Sequence, residues 1–356
     1  MRSALIVGTG AIGTSIALAL RARGVVTHLR DTDASAARTA QDVGAGTTAA
    51  PNGTVDVAVL AVPPAAVATT LVALQQEGAA RCYTDVAGVK ALPEREIEAL
   101  GCDPTSVVGG HPLVGNGRPG PLAARADLFE GYPWALVPTE ATANRALNIA
   151  LTLVSLCGAT PVFLDAEGHD LAMARVSHAP HLISTLLASR LRDTEASALR
   201  LAGKELLDVT RGAGASPALW ADLLSANAAA VADVLEAFAE DTLGAAAVLR
   251  APGTPDAAPL LDLLRKGTQG QVALPGKYGV PPADLATVQV VMGDDLKQYA
   301  RFFGDMAAGG VAVADIVIDR SAHQGTARMS LTVSAANKPV LVSRLRRLNW
   351  HVQGGQ

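Results

Sequence analysis

Ser3-Ala-Leu-Ile-Val7-Gly8-Thr9-Gly10-Ala11-Ile12-Gly13 opens the chain and decides its fold. A short apolar, β-prone run gives way at once to a glycine turn, after which Ile16, Ala17 and Leu20 recur at helical spacing as far as Gly24. Strand, turn and helix follow one another without a gap. The glycines permit the tight turn, let backbone N–H groups approach a pyrophosphate, and let the helix pack closely on the strand. The helix N-terminus adds positive potential. A second strand over 25–29 runs out at Asp31, eighteen residues after Gly13, where a ribose-binding carboxylate belongs. The expected cofactor contacts are therefore Gly8, Gly10, Ala11, Ile12, Gly13 and Asp31. Because a carboxylate repels a 2′-phosphate, Asp31 points to NAD over NADP; Arg30 beside it is a further candidate for the cofactor side.

Working outward, the spacing predicts a helix over 35–43, a strand over 55–61 closed by Val62 and Pro63, and a helix over 65–77. The next strand ends at Asp85 and is followed by the turn Val86-Ala87-Gly88-Val89-Lys90. Such turns at the carboxyl ends of strands face the ligand crevice in open α/β sheets. A strand over 106–109 then runs into the loop Gly110-His111-Pro112. His111 is a general acid/base candidate, since an imidazole titrates near neutrality and the loop can aim it. Strands over 134–138 and 160–164 flank a helix over 144–157, completing a Rossmann domain over 1–165.

From 166 to 250 the periodicity is helical throughout, predicting an all-α domain. It opens on His169-Asp170-Leu171-Ala-Met-Ala174-Arg-Val176-Ser177-His178-Ala-Pro180-His181. Asp170 is expected in the first turn, accepting from free N–H groups, with Leu171, Ala174 and Val176 continuing an apolar face into Leu182, Ile183, Leu186 and Leu187. His178 and His181, three residues apart, project to one side. They read either as buried histidines satisfied by carbonyls or as site residues. No cysteine or third histidine lies at ligand spacing, so no metal is expected. Further helices are predicted over 194–206 and 217–240. Between them Arg211 is suited to grip a carboxylate, or else pairs with Asp208. A linker spans 251–282, and 283–356 reads βαββαβ, a small ferredoxin-like unit.

Composition sets the outer limits. The chain has 356 residues, enough for two or three domains, with 49% hydrophobic and 17% charged residues and a net charge of −4. That balance leaves no basic footprint for nucleic acid. No apolar run approaches the roughly 20 residues of a membrane span. The three scattered cysteines indicate a reducing, cytoplasmic setting.

Taken together, the glycine turn with Asp31, Asp85-Val-Ala-Gly-Val-Lys90, His111-Pro-Leu-Val-Gly115, His169-Asp170 through His181, and Asp208-Val-Thr-Arg211 followed by Trp220-Ala-Asp222 resemble the prephenate dehydrogenase family over nearly the whole chain. The resemblance implies NAD-dependent oxidative decarboxylation of a cyclohexadienyl pyruvate, in a homodimer built through the helical domain, with an ACT-like tail. It implies that His111 acts as base at the ring's 4-substituent, that Arg211 holds the carboxylate, that His178 lines the pocket, and that Asp85 and Lys90 lie on the cofactor side. Substrate contacts are expected from Gly88, Arg118, Ser177, His181, Lys204, Glu205 and Trp220. The chain also departs from the family. Gly88 stands where a serine usually meets the 4-hydroxyl, Asn116-Gly117-Arg118 replaces a Glu and Ser segment, Lys204 and Glu205 replace glycines, and Leu296-Lys297 replaces the Pro-Gly that opens an ACT helix. Leu296-Lys297 argues against amino-acid feedback binding, while Gly88 and Glu205 point to 4-amino-4-deoxyprephenate as substrate, with prephenate, arogenate, or a catalytically inactive homologue as alternatives.

Overall fold

The computed structural model describes residues 1–114, 119–251, 257–274, 285–307, 313, 315–323 and 325–353. Contacts divide the chain into two compact units, Met1–Thr242 and Leu243–Gln356.

In the first unit the opening stretch forms β1 (Ser3–Val7) and α1 (Ala11–Ala22), followed by β2 (Val26–Arg30), α2 (Ala34–Asp42), β3 (Val57–Leu60), α3 (Val67–Gln76), β4 (Tyr83–Asp85) and α4 (Ala91–Ala99). Then come β5 (Val107–Pro112), β6 (Pro133–Val137), α5 (Asn144–Leu156) and β7 (Thr160–Phe163). The strands make one sheet in the order β2-β1-β3-β4-β5-β6-β7. All neighbours are parallel except β5 and β6. Strand periodicity sorts the core onto two faces. Ala4, Ile6, Val57 and Val59 pack with Ile16 and Leu20, while Leu5, Val7, Ala58 and Leu60 pack with Val67, Leu71 and Leu74. The sheet is thus covered on both sides, which leaves its carboxyl edge as the open end.

One strand differs from expectation. β5 does not stop at Gly109; antiparallel pairing with β6 carries it on, with Gly110 opposite Leu136 and His111 opposite Ala135. His111 is therefore held by a strand rather than a loop, and its ring direction is set by the ladder.

The helical part comprises α6 (Ala166–Met173), a π turn over Ala174–His178, α7 (Ala179–Ser189), α8 (Ala196–Leu199), α9 (Lys204–Thr210), α10 (Pro217–Ala226) and α11 (Ala228–Arg250). Four expectations change here. Asp165, not Asp170, caps α6, accepting from the Gly168 N–H at 2.6 Å. Of the expected apolar face, Ala174 is buried but Leu171 and Val176 are exposed, and the π turn over 174–178, which inserts an extra residue, holds His178 buried. The helix expected over 194–206 breaks at extended Gly203. The one expected over 217–240 breaks at Asn227 and bends by 97° before running to Arg250. No single described helix is long and apolar enough to cross a membrane.

In the second unit α12 (Ala258–Ala273) precedes β8 (Leu285–Gly293), α13 (Leu296–Ala307), β9 (Asp315–His323), β10 (Thr326–Ser334), α14 (Lys338–Arg347) and β11 (His351–Gln353). These last four strands form an antiparallel sheet, β11-β8-β10-β9. Alternate residues Val288, Val290, Met329 and Leu331 bury one face against Phe302, Leu341 and Leu345.

Candidate active site

At the carboxyl edge of the large sheet the glycine turn is shaped around empty space. Gly8 sits at φ +94°, and a Cβ on it would collide with the Ala61 carbonyl, just as one on Gly13 would collide with the Gly8 carbonyl. These two glycines let helix, turn and β3 close together. A Cβ on Gly10 would meet nothing within 4 Å. Gly10 is the N-cap of α1 and offers no capping side chain, so the N–H groups at Ala11 and Ile12 face that space with the helix dipole behind them. This is a cradle that fits a pyrophosphate.

Beside it, Asp31 accepts from the Thr9 amide at 2.6 Å, the Thr9 hydroxyl at 2.8 Å and the Asp33 amide at 2.9 Å. Burial pushes its pKa up, but those hydrogen bonds outweigh burial and hold the carboxyl below its ordinary range. Arg30 is drawn off to Glu77 at 2.9 Å on the surface. Val62 and exposed Pro63 follow β3 at the same edge.

The reactive cluster lies one strand further along. Asp85, at the end of β4, pairs with the Lys90 ammonium, both almost wholly buried, and Lys90 Nζ also donates to the Gly110 carbonyl at 2.6 Å. Lys90 thus ties the turn after β4 to the residue preceding His111. His111 Nδ1 lies 2.9 Å from His169 Nε2, and His169 Nδ1 lies 2.7 Å from Asp170 Oδ1. The Asp170 carboxylate also accepts from the Lys90 N–H at 2.8 Å and the Ala91 N–H at 3.0 Å. It therefore performs the capping expected of it, but on α4, whose own N-cap residue, Lys90, lends no side chain. Burial raises the Asp170 pKa, and the bonds from His169, Ala91 and Lys90 more than offset it, so the group stays below the usual carboxylate range. His111 is pushed well below its ordinary value by burial first, then by the Lys90 ammonium and the His169 and His178 rings. The depression favours the neutral ring, which keeps one nitrogen able to accept a hydrogen bond.

His178 is buried beside this cluster, with its Nδ1 3.1 Å from the Asn227 amide nitrogen and a second hydrogen bond to the Gly88 backbone. The same Asn227 amide donates to the Asp170 carbonyl at 2.7 Å. Both partners of His178 are protein groups, so the ring holds the Gly88 turn in place. A Cβ on Gly88 would stand 3.8 Å from His111 Nε2 and 2.9 Å from Leu223 Cδ2. Gly88 and His111 therefore border the same space, with Leu223 filling part of it.

The remaining expected residues gather around α7 or stay outside. His181 stacks on Trp220 with centroids 3.5 Å apart and 3° between planes, and His178 meets the same ring edge-on at 6.1 Å. Ser177 is half-buried in the π turn. Lys204 and Glu205 are exposed in the first turn of α9. Arg211 is not drawn into the histidine cluster: its side chain is 83% exposed and reaches Asp208 only at 4.0 Å. Arg118 lies outside the described residues. Sequence reading passed over His169 and Asn227 as site residues. His169 was visible as half of a His-Asp pair; Asn227 had the signal of a poor helix former in an apparently unbroken helix.

Comparison with known proteins identifies the family of the chain. A family model for the prephenate dehydrogenase nucleotide-binding domain matches residues 16–163, and one for the prephenate dehydrogenase dimerization domain matches 165–265. The chain is 45% identical to the probable prephenate dehydrogenase NovF of Streptomyces niveus, covering 98% of this chain and 99% of that protein. It is 29% identical to the cyclohexadienyl dehydrogenase of Zymomonas mobilis over 49% of this chain and 60% of that protein. Among solved structures it resembles prephenate dehydrogenase from A. aeolicus, in complex with hydroxyphenyl propionate and NAD+, at TM-score 0.65 and 25% identity over 76% of this chain and 98% of that one.

Proposed function

The chain belongs to the prephenate dehydrogenase family and is an NAD-dependent oxidoreductase, and from that premise we propose that it oxidatively decarboxylates a cyclohexadienyl pyruvate, with 4-amino-4-deoxyprephenate, giving 4-aminophenylpyruvate, as its preferred substrate. The observation that carries the reading is the pairing of His111 Nε2 with Gly88 across one space. His111 hydrogen-bonds the ring's 4-substituent and takes its proton as the C4–H bond breaks. Gly8 through Gly13 would hold the pyrophosphate of NAD and Asp31 its adenosine ribose, and the bound nicotinamide would supply the hydride acceptor. The electrons of the C1–carboxylate bond then complete the aromatic ring as CO₂ departs, and the proton returns to the 4-substituent. Arg211, exposed and meeting Asp208 only at 4.0 Å, is available to grip a substrate carboxylate.

The 4-amino preference rests on Gly88. A serine there would offer its hydroxyl to a 4-hydroxyl group, and glycine withdraws that partner. Prephenate is the second reading, favoured by the hydroxyphenyl ligand and the names of the relatives. The deciding experiment compares kcat/KM for 4-amino-4-deoxyprephenate, prephenate and arogenate with NAD, in the native protein and in Gly88→Ser. A tenfold preference for prephenate, about 1.4 kcal/mol in transition-state binding, overturns the amino reading. Movement of the Gly88→Ser variant toward prephenate supports it.

We also propose a homodimer through the helical segment. Leu171, Val176, Leu186 and Phe238 are exposed there, and the buried cluster is only Ala174, Ala179 and Val231. One copy alone leaves that apolar surface in water. The β8–β11 unit, with its βαββαβ order, is read as ferredoxin-like and ACT-like. The unpaired Cys82, Cys102 and Cys157 fit a cytoplasmic setting.

A further inference from the structure

We propose that His169 and Asp170 are positioning residues that fix the proton of His111 on Nδ1, leaving Nε2 bare to receive the proton of the substrate's 4-substituent. The inference rests on the role given to His111 above, and it follows from which groups can donate. An ionised carboxylate only accepts, so the 2.7 Å contact requires the His169 proton to be on Nδ1. A neutral imidazole carries one N–H. His169 Nε2 is then a lone pair, and the 2.9 Å contact to His111 is made by a proton on His111 Nδ1. What remains on His111 is an unprotonated Nε2, the atom that faces Gly88.

The relay is built to hold that polarity. Asp170 is kept ionised by the N–H groups of Lys90 and Ala91 in addition to His169. His169 is fully buried, with both ring nitrogens engaged by protein groups. The Lys90 ammonium, already committed to Asp85 and Gly110, lies near His111 and disfavours a positive charge on that ring. The backbone of Asp170 is pinned in turn by Asn227, whose amide bridges the Asp170 carbonyl and His178. Because Asp170 also caps α4, the relay and the Gly88–Lys90 turn move as one piece. The distance from His111 Nε2 to the substrate space is set by the same carboxylate that sets its tautomer.

The test is nitrogen NMR of the full-length, 15N-histidine-labelled protein at neutral pH, with the His111 ring assigned by its loss in His111→Gln. Protonated and bare imidazole nitrogens resonate far apart, and His111 is expected to show a protonated Nδ1 and a bare Nε2. The opposite pattern, as an imidazolium at His169 would impose, overturns the proposal without recourse to any variant. Turnover supplies the second arm. His169→Leu should lower kcat by about 30-fold or more while leaving NAD affinity within about twofold, and His169→Gln, whose amide carbonyl can accept from His111 Nδ1, should recover most of that loss together with the native tautomer. A His169→Leu protein with native kcat refutes the relay. If His111→Asn also turns over normally, the role of His111 itself has failed; if only His111→Asn is impaired, the failure is confined to the relay.

Discussion

Asp31 and Thr9 close on one another at the lip of the glycine turn, the carboxylate accepting from both the amide and the hydroxyl of the same residue at 2.6 and 2.8 Å. Because Thr9 lies between Gly8 and Gly10, this contact fixes the turn and at the same time orients the carboxylate that would meet the adenosine ribose. Its ionised state is secured by hydrogen bonds that outweigh burial.

Asp31→Ala should therefore weaken NAD by about 10- to 150-fold, the worth of a charge-assisted hydrogen bond of about 1.5–3 kcal/mol, and leave NADP unchanged or improved. Isothermal titration with both dinucleotides measures this. Equal affinity of the native protein for NAD and NADP would contradict it.

His111→Asn should bind NAD normally and lose about 10²-fold or more in turnover. Burial, Lys90, His169 and His178 hold the ring well below its ordinary value near 6.5, so the acid limb of kcat/KM should fall below pH 6.5, with no His111 titration between there and neutrality. The same depression acts on stability. As pH drops, the unfolded chain takes up the proton before the folded one, so the contribution is complete above about pH 6.5 and is lost as pH falls toward the folded value. A pH series of melting temperatures should decline less steeply on the acid side in His111→Asn. A limb centred at or above 6.5 in the native enzyme would be the contrary result.

Arg211→Ala separates binding from folding. The guanidinium is exposed and its contact with Asp208 is long, so the pair is worth about 0–1 kcal/mol and the melting temperature should hardly move. If Arg211 grips the substrate carboxylate, KM should rise by about tenfold or more with a smaller change in kcat. An unchanged KM removes Arg211 from the site.

Lys90→Met should be severely destabilising, by about 3–5 kcal/mol, because it strands the Asp85 carboxylate, which is only 5% exposed. Adding Asp85→Leu should restore a large part of that loss in denaturant titrations, since the unpaired charge goes with it. Near-native stability of the single variant would show that water reaches Asp85.

The linear order of residues was sufficient for whatever depends on local spacing. Gly8, Gly10 and Gly13 after an apolar strand, with Asp31 eighteen residues on, specify a strand, a turn and a helix because only glycine tolerates the backbone approaches found at Gly8 and Gly13. His111 was legible as a histidine at a strand end, and 283–356 as a βαββαβ order, two of whose strands are β8 and β10. Tertiary structure alone decided the partners. Asp170 caps a helix that begins 79 positions earlier in the chain, at Ala91, and Asn227 reaches back 57 to donate to the Asp170 carbonyl. Hydrogen bonds of that kind are made through space by side chains whose sequence neighbours carry no trace of them. The π turn, in which His178 is buried and Val176 exposed, is a shift of one residue in the helical register, and its first residue, Ala174, packs against Val231, 57 positions further along the chain.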